Sequence, residues 1–185
     1  MKTPPLPLTP LDTATAPEGS KALVEKVQKD FRFIPNLFGV FAHSPAFLSG
    51  YMALDQAYGQ SCLSPKERQV VLLAASVENA CRYCTAAHST ILKNAMKAPA
   101  EMVEAIRAGR SLSDTRLEAL VRLTREMVEK RGHVSAEIVE EFVAAGYGRE
   151  QVLEVLLGVA LKTMSNYTHH LSGVEIDPAF APEVS

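Results

Sequence analysis

The chain lacks the features that would tie it to nucleic acid or to a membrane. Its 19 basic and 21 acidic residues give a formal net charge of −2, so there is no basic excess to neutralise a phosphate backbone. No apolar run approaches the roughly 18 residues of a membrane span, and the proline-rich residues 1–10 contain no signal-peptide core. We therefore expect a cytoplasmic protein with neither nucleic acid nor a membrane as partner.

Signals for β-strands are missing as well. No segment alternates apolar and polar residues, and no Asn-Gly or Asp-Gly turn joins two β-branched runs. Helix starts are frequent instead, and the clearest is Ser64-Pro65-Lys66-Glu67, which combines an N-cap serine, a proline at N1 and a glutamate at N3. Residues 70–75 after it are apolar on nearly every side, which predicts a central buried helix. The sequence thus predicts an all-α fold of about seven to nine helices.

The pattern divides the chain into an arm and one helical domain. Residues 1–16 hold four prolines and show little periodicity, which predicts an extended arm that lies over the surface or reaches a partner subunit. Residues 17–185 have the length of a single domain. Besides the central helix, amphipathic or capped patterns predict helices near 19–30, 36–42, 45–59, 101–107, 114–130, 135–145 and 151–171.

Cysteine is scarce, and its placement is informative. Three cysteines cannot all pair within one chain, and the cytosol disfavours structural disulfides, so a close pair there indicates redox or metal chemistry. Cys62 stands alone and is expected to be a packing residue. Cys81 and Cys84 form a Cys-x-x-Cys pair inside the stretch 78–88, which also holds a histidine and a carboxylate.

Two local geometries are open for this stretch. On one continuous helix, Glu78, Cys81, Cys84 and His88 would share an arc of about 120°. Alternatively, the buried helix ends near Glu78 and Asn79 caps a new helix, which places both cysteines in its first turns, where the helix dipole stabilises a thiolate.

Both geometries predict the same division of chemical roles. His88 lies one turn after Cys84 and is the natural general base for that thiol. Cys84 should therefore attack, while Cys81 resolves the oxidised product as a disulfide. Glu78 could orient or recharge the imidazole of His88.

The motif Glu78-x-x-Cys81-x-Tyr83-Cys84-x-x-Ala87-His88 resembles the signature of the alkylhydroperoxidase D-like family within the carboxymuconolactone decarboxylase superfamily. The likeness extends to residues 34–37, 63–68 and 152–167, which are similar to its peroxidase-related branch. The resemblance implies an all-helical homo-oligomer that reduces peroxides through the Cys pair without a cofactor. It also implies an external dithiol reductant, of either the lipoyl or the thioredoxin type.

Two positions depart from the family pattern. The type member carries a second histidine between the two cysteines and a glutamate twelve positions before the first one. This chain has Tyr83 and Gln69 at those positions. Our hypothesis is that Glu78 takes over the role of the missing glutamate.

Several alternatives compete with a thiol peroxidase. Cys-x-x-Cys followed by a histidine also occurs in zinc sites, but a further ligand would have to come from Cys62 or from the adjacent His169 and His170, and we expect no metal. The thiols could be purely structural, or their disulfide could act as a redox-sensing switch without turnover. A cofactor-free decarboxylase-like enzyme on the same fold is also possible.

Overall fold

The structure is a computed structural model that describes residues 3–184. Within this range the chain forms nine α-helices and no strand, which confirms the all-α prediction. None of these helices is long and apolar enough to cross a bilayer. The helices are α1 (Glu18–Phe31), α2 (Asn36–Phe41), α3 (Pro45–Gly59), α4 (Pro65–Glu78), α5 (Arg82–Thr90), α6 (Ala100–Arg107), α7 (Thr115–Glu129), α8 (Ala136–Ala144) and α9 (Gln151–Ser172).

Side-chain caps set the start of several helices. The capping box predicted at Ser64 is present, since its hydroxyl accepts from the Glu67 amide and the Glu67 carboxylate accepts from the Ser64 amide. Asp114 and Ser135 cap α7 and α8 through their side-chain oxygens alone, which accept from amides that have no partner within the helix. A π-helical turn at Ile91–Ala95, which the sequence did not indicate, extends α5.

Helix α4 is the centre of the fold, as its apolar sequence predicted. It packs against α5, α6, α7 and α9, and its side chains Val70, Val71 and Leu73 are fully buried. Burying an aliphatic side chain of this size contributes about 1.5–3 kcal/mol relative to an exposed one. Helix α5, which carries Cys84 and His88, therefore packs against the most buried helix of the fold.

Helix α9 has two distinct faces. At 100° per residue, one arc of about 60° carries its small and polar residues and turns toward α4 and α5; these residues are Gly158, Lys162, Ser165 and His169. The opposite side carries exposed apolar side chains, namely Leu153, Leu156, Tyr167 and Leu171. Lys162 is thus on the buried side of its helix.

The N-terminal segment runs along its own chain. The Leu6 amide donates to the Leu171 carbonyl at 2.9 Å, and the Leu11 amide donates to the Gly39 carbonyl at 3.1 Å. These bonds hold residues 3–16 against α2 and the end of α9. The division into 1–16 and 17–185 stays a prediction, and its outer ends, residues 1, 2 and 185, lie outside the described part of the chain.

Gly158 sets how closely α9 approaches the rest of the helices. A Cβ at this position would lie 2.8 Å from Tyr58 Cζ and 2.9 Å from Val71 Cγ1, closer than van der Waals contact allows. Lys162 follows one turn later on the same face. The absence of a side chain at Gly158 therefore permits the close packing that brings Lys162 to α5.

We predict that Gly158→Ala lowers the free energy of unfolding by about 1–3 kcal/mol, because the added methyl overpacks the helix crossing. Gly50→Ala is the matched control, since a Cβ there meets nothing within 4 Å; it should raise stability by about 0.5–1 kcal/mol through helix propensity. Denaturant titration of both variants measures the difference. Equal stabilisation by the two substitutions would show that α9 does not pack this closely.

Candidate active site

Residues 78–88 do not form one continuous helix, so the single-helix alternative is wrong. Helix α4 ends at Glu78, Ala80 takes a left-handed conformation with φ 52°, and Cys81 is the N-cap of α5. The two-helix alternative is confirmed in outline, with one correction. Asn79 ends α4 rather than capping α5, because its amide still donates to the Ala75 carbonyl.

A cavity of about 240 Å³ lies where α2, α3, α4, α5 and α9 meet. Most of its wall is apolar or aromatic, including Leu37, Phe38, Leu72, Ile91, Leu161 and Phe180. A smaller set of polar side chains also lines it, namely Tyr51, Asp55, Gln69, Cys84, His88, Lys162 and Ser165. An apolar cavity or cleft with a few converging polar groups is the usual form of a small-molecule site.

The two cysteines of the motif are reduced, buried and chemically unequal. A hydrogen bond from the Cys81 thiol, aided by the nearby Lys162 charge and Ser165, lowers the pKa of Cys84 to about 6, although burial opposes the shift. The same hydrogen bond, together with burial, raises the pKa of Cys81. At neutral pH this asymmetry favours a thiolate on Cys84 and a thiol on Cys81. Cys62 is exposed, so its expected packing role is wrong.

His88 is held between two partners. Its Nδ1 lies 2.9 Å from Gln69 Oε1, and its Nε2 lies 2.8 Å from Lys162 Nζ. Because an amide oxygen can only accept, Nδ1 carries the proton and Nε2 accepts from the ammonium. Burial, and then the Lys162 charge, lower the pKa of His88 well below its usual value, so the ring is neutral. Within residues 3–184, neither ring nitrogen hydrogen-bonds directly to Cys84.

Lys162 is the residue that sequence reasoning missed. Its side chain is buried, at 2% exposure, and burial on its own disfavours the ammonium. The acidic groups of Tyr51, Cys84, Cys81 and Asp55 outweigh burial and raise the pKa of Lys162. The available signal was that Lys162 shares one side of α9 with the small residues Gly158 and Ser165. A lysine on such a buried side needs anionic partners.

Glu78 is not brought to the cavity. It is the exposed last residue of α4, whereas Gln69 on the same helix contacts His88. Nine positions separate the two residues, which places them about 180° apart around the helix. The predicted pairing of Glu78 with His88 is therefore not formed, and Gln69 orients the ring through an uncharged amide.

Tyr83 joins three segments at the edge of the cavity. Its hydroxyl donates to the Asp177 carboxylate and accepts from the Leu37 amide at 3.3 Å. Burial and the adjacent Asp177 carboxylate raise the pKa of Tyr83, so the phenol stays protonated. Tyr83 is thus a structural link between α5, α2 and the C-terminal segment.

Comparison with known proteins gives a family match over the middle part of the chain. Residues 45–126 match the model of the carboxymuconolactone decarboxylase family, a segment that includes α4, both motif cysteines and His88. A sequence comparison with curated proteins gives no significant match.

Several solved structures share the fold over nearly the whole chain. The alkylhydroperoxidase AhpD core of an uncharacterized peroxidase-related protein from Ralstonia eutropha JMP134 is 22% identical, with a TM-score of 0.83 over 97% of this chain and 96% of that one. A peroxidase-related protein from Silicibacter sp. TM1040 is 19% identical, with a TM-score of 0.80 over 97% of both chains. The debrominase Bmp8 is 16% identical, with a TM-score of 0.79 over 95% of both chains.

We predict that Lys162→Met shifts the titration of the Cys84 thiolate to higher pH. In the wild type the thiolate should form with a midpoint near pH 6, and loss of the neighbouring positive charge disfavours the anion. The thiolate ultraviolet absorbance, measured in a Cys62→Ser background and corrected with Cys84→Ser, reports the midpoint. Lys66→Met removes an exposed lysine and should leave it unchanged. An unaltered midpoint in Lys162→Met would remove Lys162 from the activation of Cys84.

A second experiment distinguishes Gln69 from Glu78 as the residue of α4 that contacts His88. We expect Gln69→Leu to shift the Nδ1 resonance of His88, because this N–H loses its acceptor, while the Lys162 ammonium, which can only donate, still keeps the proton on Nδ1. Glu78→Gln should leave this resonance unchanged. NMR of the histidine ring nitrogens distinguishes the two results, and a change in Glu78→Gln alone would restore Glu78 to the relay.

Proposed function

We propose that this chain, an AhpD-like member of the carboxymuconolactone decarboxylase superfamily, is a thiol-dependent oxidoreductase that reduces small organic hydroperoxides. The observation that carries this proposal is the position of Cys84. Its sulfur lines a largely apolar cavity, beside the buried Lys162 ammonium and in hydrogen-bonding contact with a second thiol. Nucleophile, cation and resolving thiol thus converge on one cavity.

The cavity favours a compact substrate with an apolar body. Its volume of about 240 Å³ and its aromatic walls, with Phe38 and Phe180 among them, suit a small hydroperoxide whose organic group is removed from water. The polar end of such a molecule would face Cys84 and Lys162, since these lie in the same wall. Hydrogen peroxide fits but gains nothing from the apolar surface.

In the first step the Cys84 thiolate attacks the terminal oxygen of the hydroperoxide. A sulfur–oxygen bond forms, the peroxide O–O bond breaks, and the organic oxygen leaves as an alkoxide. The Lys162 ammonium stabilises the negative charge on this oxygen and supplies the proton that makes it an alcohol. His88, which accepts from the same ammonium, orients it and receives or returns protons through Nε2.

In the second step the Cys81 sulfur attacks the Cys84 sulfenic acid, which releases water and forms the disulfide. An external dithiol then reduces this disulfide by thiol–disulfide exchange and is itself oxidised to a disulfide. Cys81 is itself buried but lies between the exposed residues Ala80 and Arg82, whereas both neighbours of Cys84 in the chain are at least partly buried. Cys81 is therefore the sulfur that we expect the reductant to attack.

Reductive dehalogenation is a second candidate, favoured by the aromatic lining of the cavity. Bmp8 is a debrominase, and a cysteine-to-alanine variant of it is solved in complex with 2,3,4-tribromopyrrole, with a TM-score of 0.79 to this chain. The same cysteine pair could replace a carbon–bromine bond by a carbon–hydrogen bond, releasing bromide as the pair forms a disulfide. Both reactions consume the two electrons of the dithiol.

The homo-oligomer implied by the family is also a proposal. The exposed apolar face of α9, formed by Leu153, Leu156, Tyr167 and Leu171, lies opposite the side that carries Lys162. Burying this face against a second copy would remove apolar surface from water without blocking the cavity.

We predict that dithiol-dependent turnover of organic hydroperoxides requires both cysteines of the pair, whereas Cys62→Ser retains it. Cys81→Ser should still form a sulfenic acid on Cys84, which a dimedone-type probe traps, because only the resolving step is lost. Cys84→Ser should give neither turnover nor trapped product. Peroxide consumption and mass spectrometry measure these outcomes, with tribromopyrrole debromination assayed in parallel.

Peroxide consumption no faster than that of Cys84→Ser, across several organic hydroperoxides, would refute the peroxidase proposal. Debromination in the same samples would then support the second candidate. A reversible disulfide without turnover of either substrate would indicate a redox switch.

A further inference from the structure

Cys81 has a second set of neighbours that the disulfide chemistry does not use. Its Sγ lies 3.6 Å from His169 Nδ1 at the C-terminal end of α9. His170 adds a third potential ligand, and one ligand atom from each of the three residues lies within 4.8 Å of the other two. These residues come from the N-cap of α5 and from the last turn of α9.

We propose that Cys81, His169 and His170 form a binding site for a zinc-type divalent cation. One thiolate and two imidazoles are a donor set that suits zinc. With three protein ligands, a water or another small ligand would complete the tetrahedron.

The spacing of the ligand atoms supports this assignment. Zinc–sulfur bonds of about 2.3 Å and zinc–nitrogen bonds of about 2.0–2.1 Å at tetrahedral angles place sulfur and nitrogen about 3.6 Å apart. The separation of Cys81 Sγ from His169 Nδ1 is 3.6 Å. His169 is partly buried, with its ring against Tyr83, whereas His170 is exposed and its ring stacks on Tyr167.

The opposite end of the cysteine pair is a poor cation site. His88 uses both ring nitrogens, one toward Gln69 and one toward Lys162. The Lys162 ammonium in the same wall would also repel a second cation near Cys84. The cation should therefore bind on the Cys81 side, away from the cavity. The Arg82 guanidinium, whose charge also acts on His169, is exposed there, so water screens its repulsion.

This site and the disulfide share one sulfur, so they exclude each other. A bound zinc ion occupies the Cys81 thiolate and prevents its attack on a Cys84 sulfenic acid. Conversely, once that attack has released water and formed the Cys81–Cys84 bond, the thiolate ligand is gone and the ion is released. Zinc would thus hold the protein in its reduced form. This consequence for turnover rests on the proposed function, but zinc binding itself does not.

The test is a zinc titration of the reduced protein against a chromophoric chelator, in a Cys62→Ser background that removes the exposed thiol. We expect one zinc per chain. His169→Gln and His170→Gln should each weaken binding at least tenfold, since even loss of an outer-shell partner typically costs about 10–100-fold. His133→Gln, at an exposed turn, is the control and should bind like the parent.

Cobalt substitution identifies the sulfur ligand. A thiolate-to-cobalt charge-transfer band should persist in Cys84→Ser and His88→Gln and disappear in Cys81→Ser and in the oxidised protein. Circular dichroism of each variant verifies that it is folded. Unchanged affinity in both His169→Gln and His170→Gln, or a band that survives in Cys81→Ser, would overturn the proposal. Because these readouts are binding and absorption, failure of peroxide turnover would not affect them.

Discussion

The hydrogen bond between Lys162 Nζ and His88 Nε2 is the contact on which the rest of the candidate site depends. A buried ammonium is tolerated only where hydrogen bonds and negative charge compensate for its loss of water. Here the neutral His88 ring supplies an acceptor, while Asp55 and the Cys84 thiolate supply charge. The packing of α4, α5 and α9 is therefore linked to the protonation states of the groups between them.

This arrangement also favours one redox state. Oxidation of Cys84 to a disulfide removes one of the anionic neighbours of Lys162, so the reduced pair is stabilised relative to the oxidised one. A stabilised thiolate makes a disulfide easier to reduce and a better oxidant of other thiols. Regeneration by an external dithiol is thus favoured by the same charge that activates the nucleophile.

Most of the fold could be predicted from the sequence, because helix caps and apolar runs are local signals. The capping box at Ser64 and the apolar run after it defined α4, and both are present in the structure. A helix end near Glu78 was only one of two alternatives, because the left-handed residue that forms the break, Ala80, has no sequence signature as clear as that of glycine. The π-helical turn at Ile91–Ala95 likewise follows a pattern that an ordinary helix would satisfy equally well.

The site was only partly predictable, for a related reason. Cys81, Cys84 and His88 are close in sequence, and spacing alone placed them in one site, although the ring nitrogens of His88 face Gln69 and Lys162 rather than Cys84. Lys162 reaches His88 across 74 residues, and no local pattern records such a contact. Glu78 was favoured over Gln69 by charge, although nine positions along one helix place them on opposite faces.

The order of these residues along the chain also bears on biosynthesis. Cys81 and Cys84 are made well before Lys162, and Tyr83 precedes its Asp177 partner by 94 residues. During translation the two thiols therefore emerge without the cation that activates Cys84 and without the link that closes the cavity edge. Until α9 docks, the Cys84 thiol therefore lacks the positive charge of Lys162, and only its hydrogen bond with Cys81 can favour the thiolate.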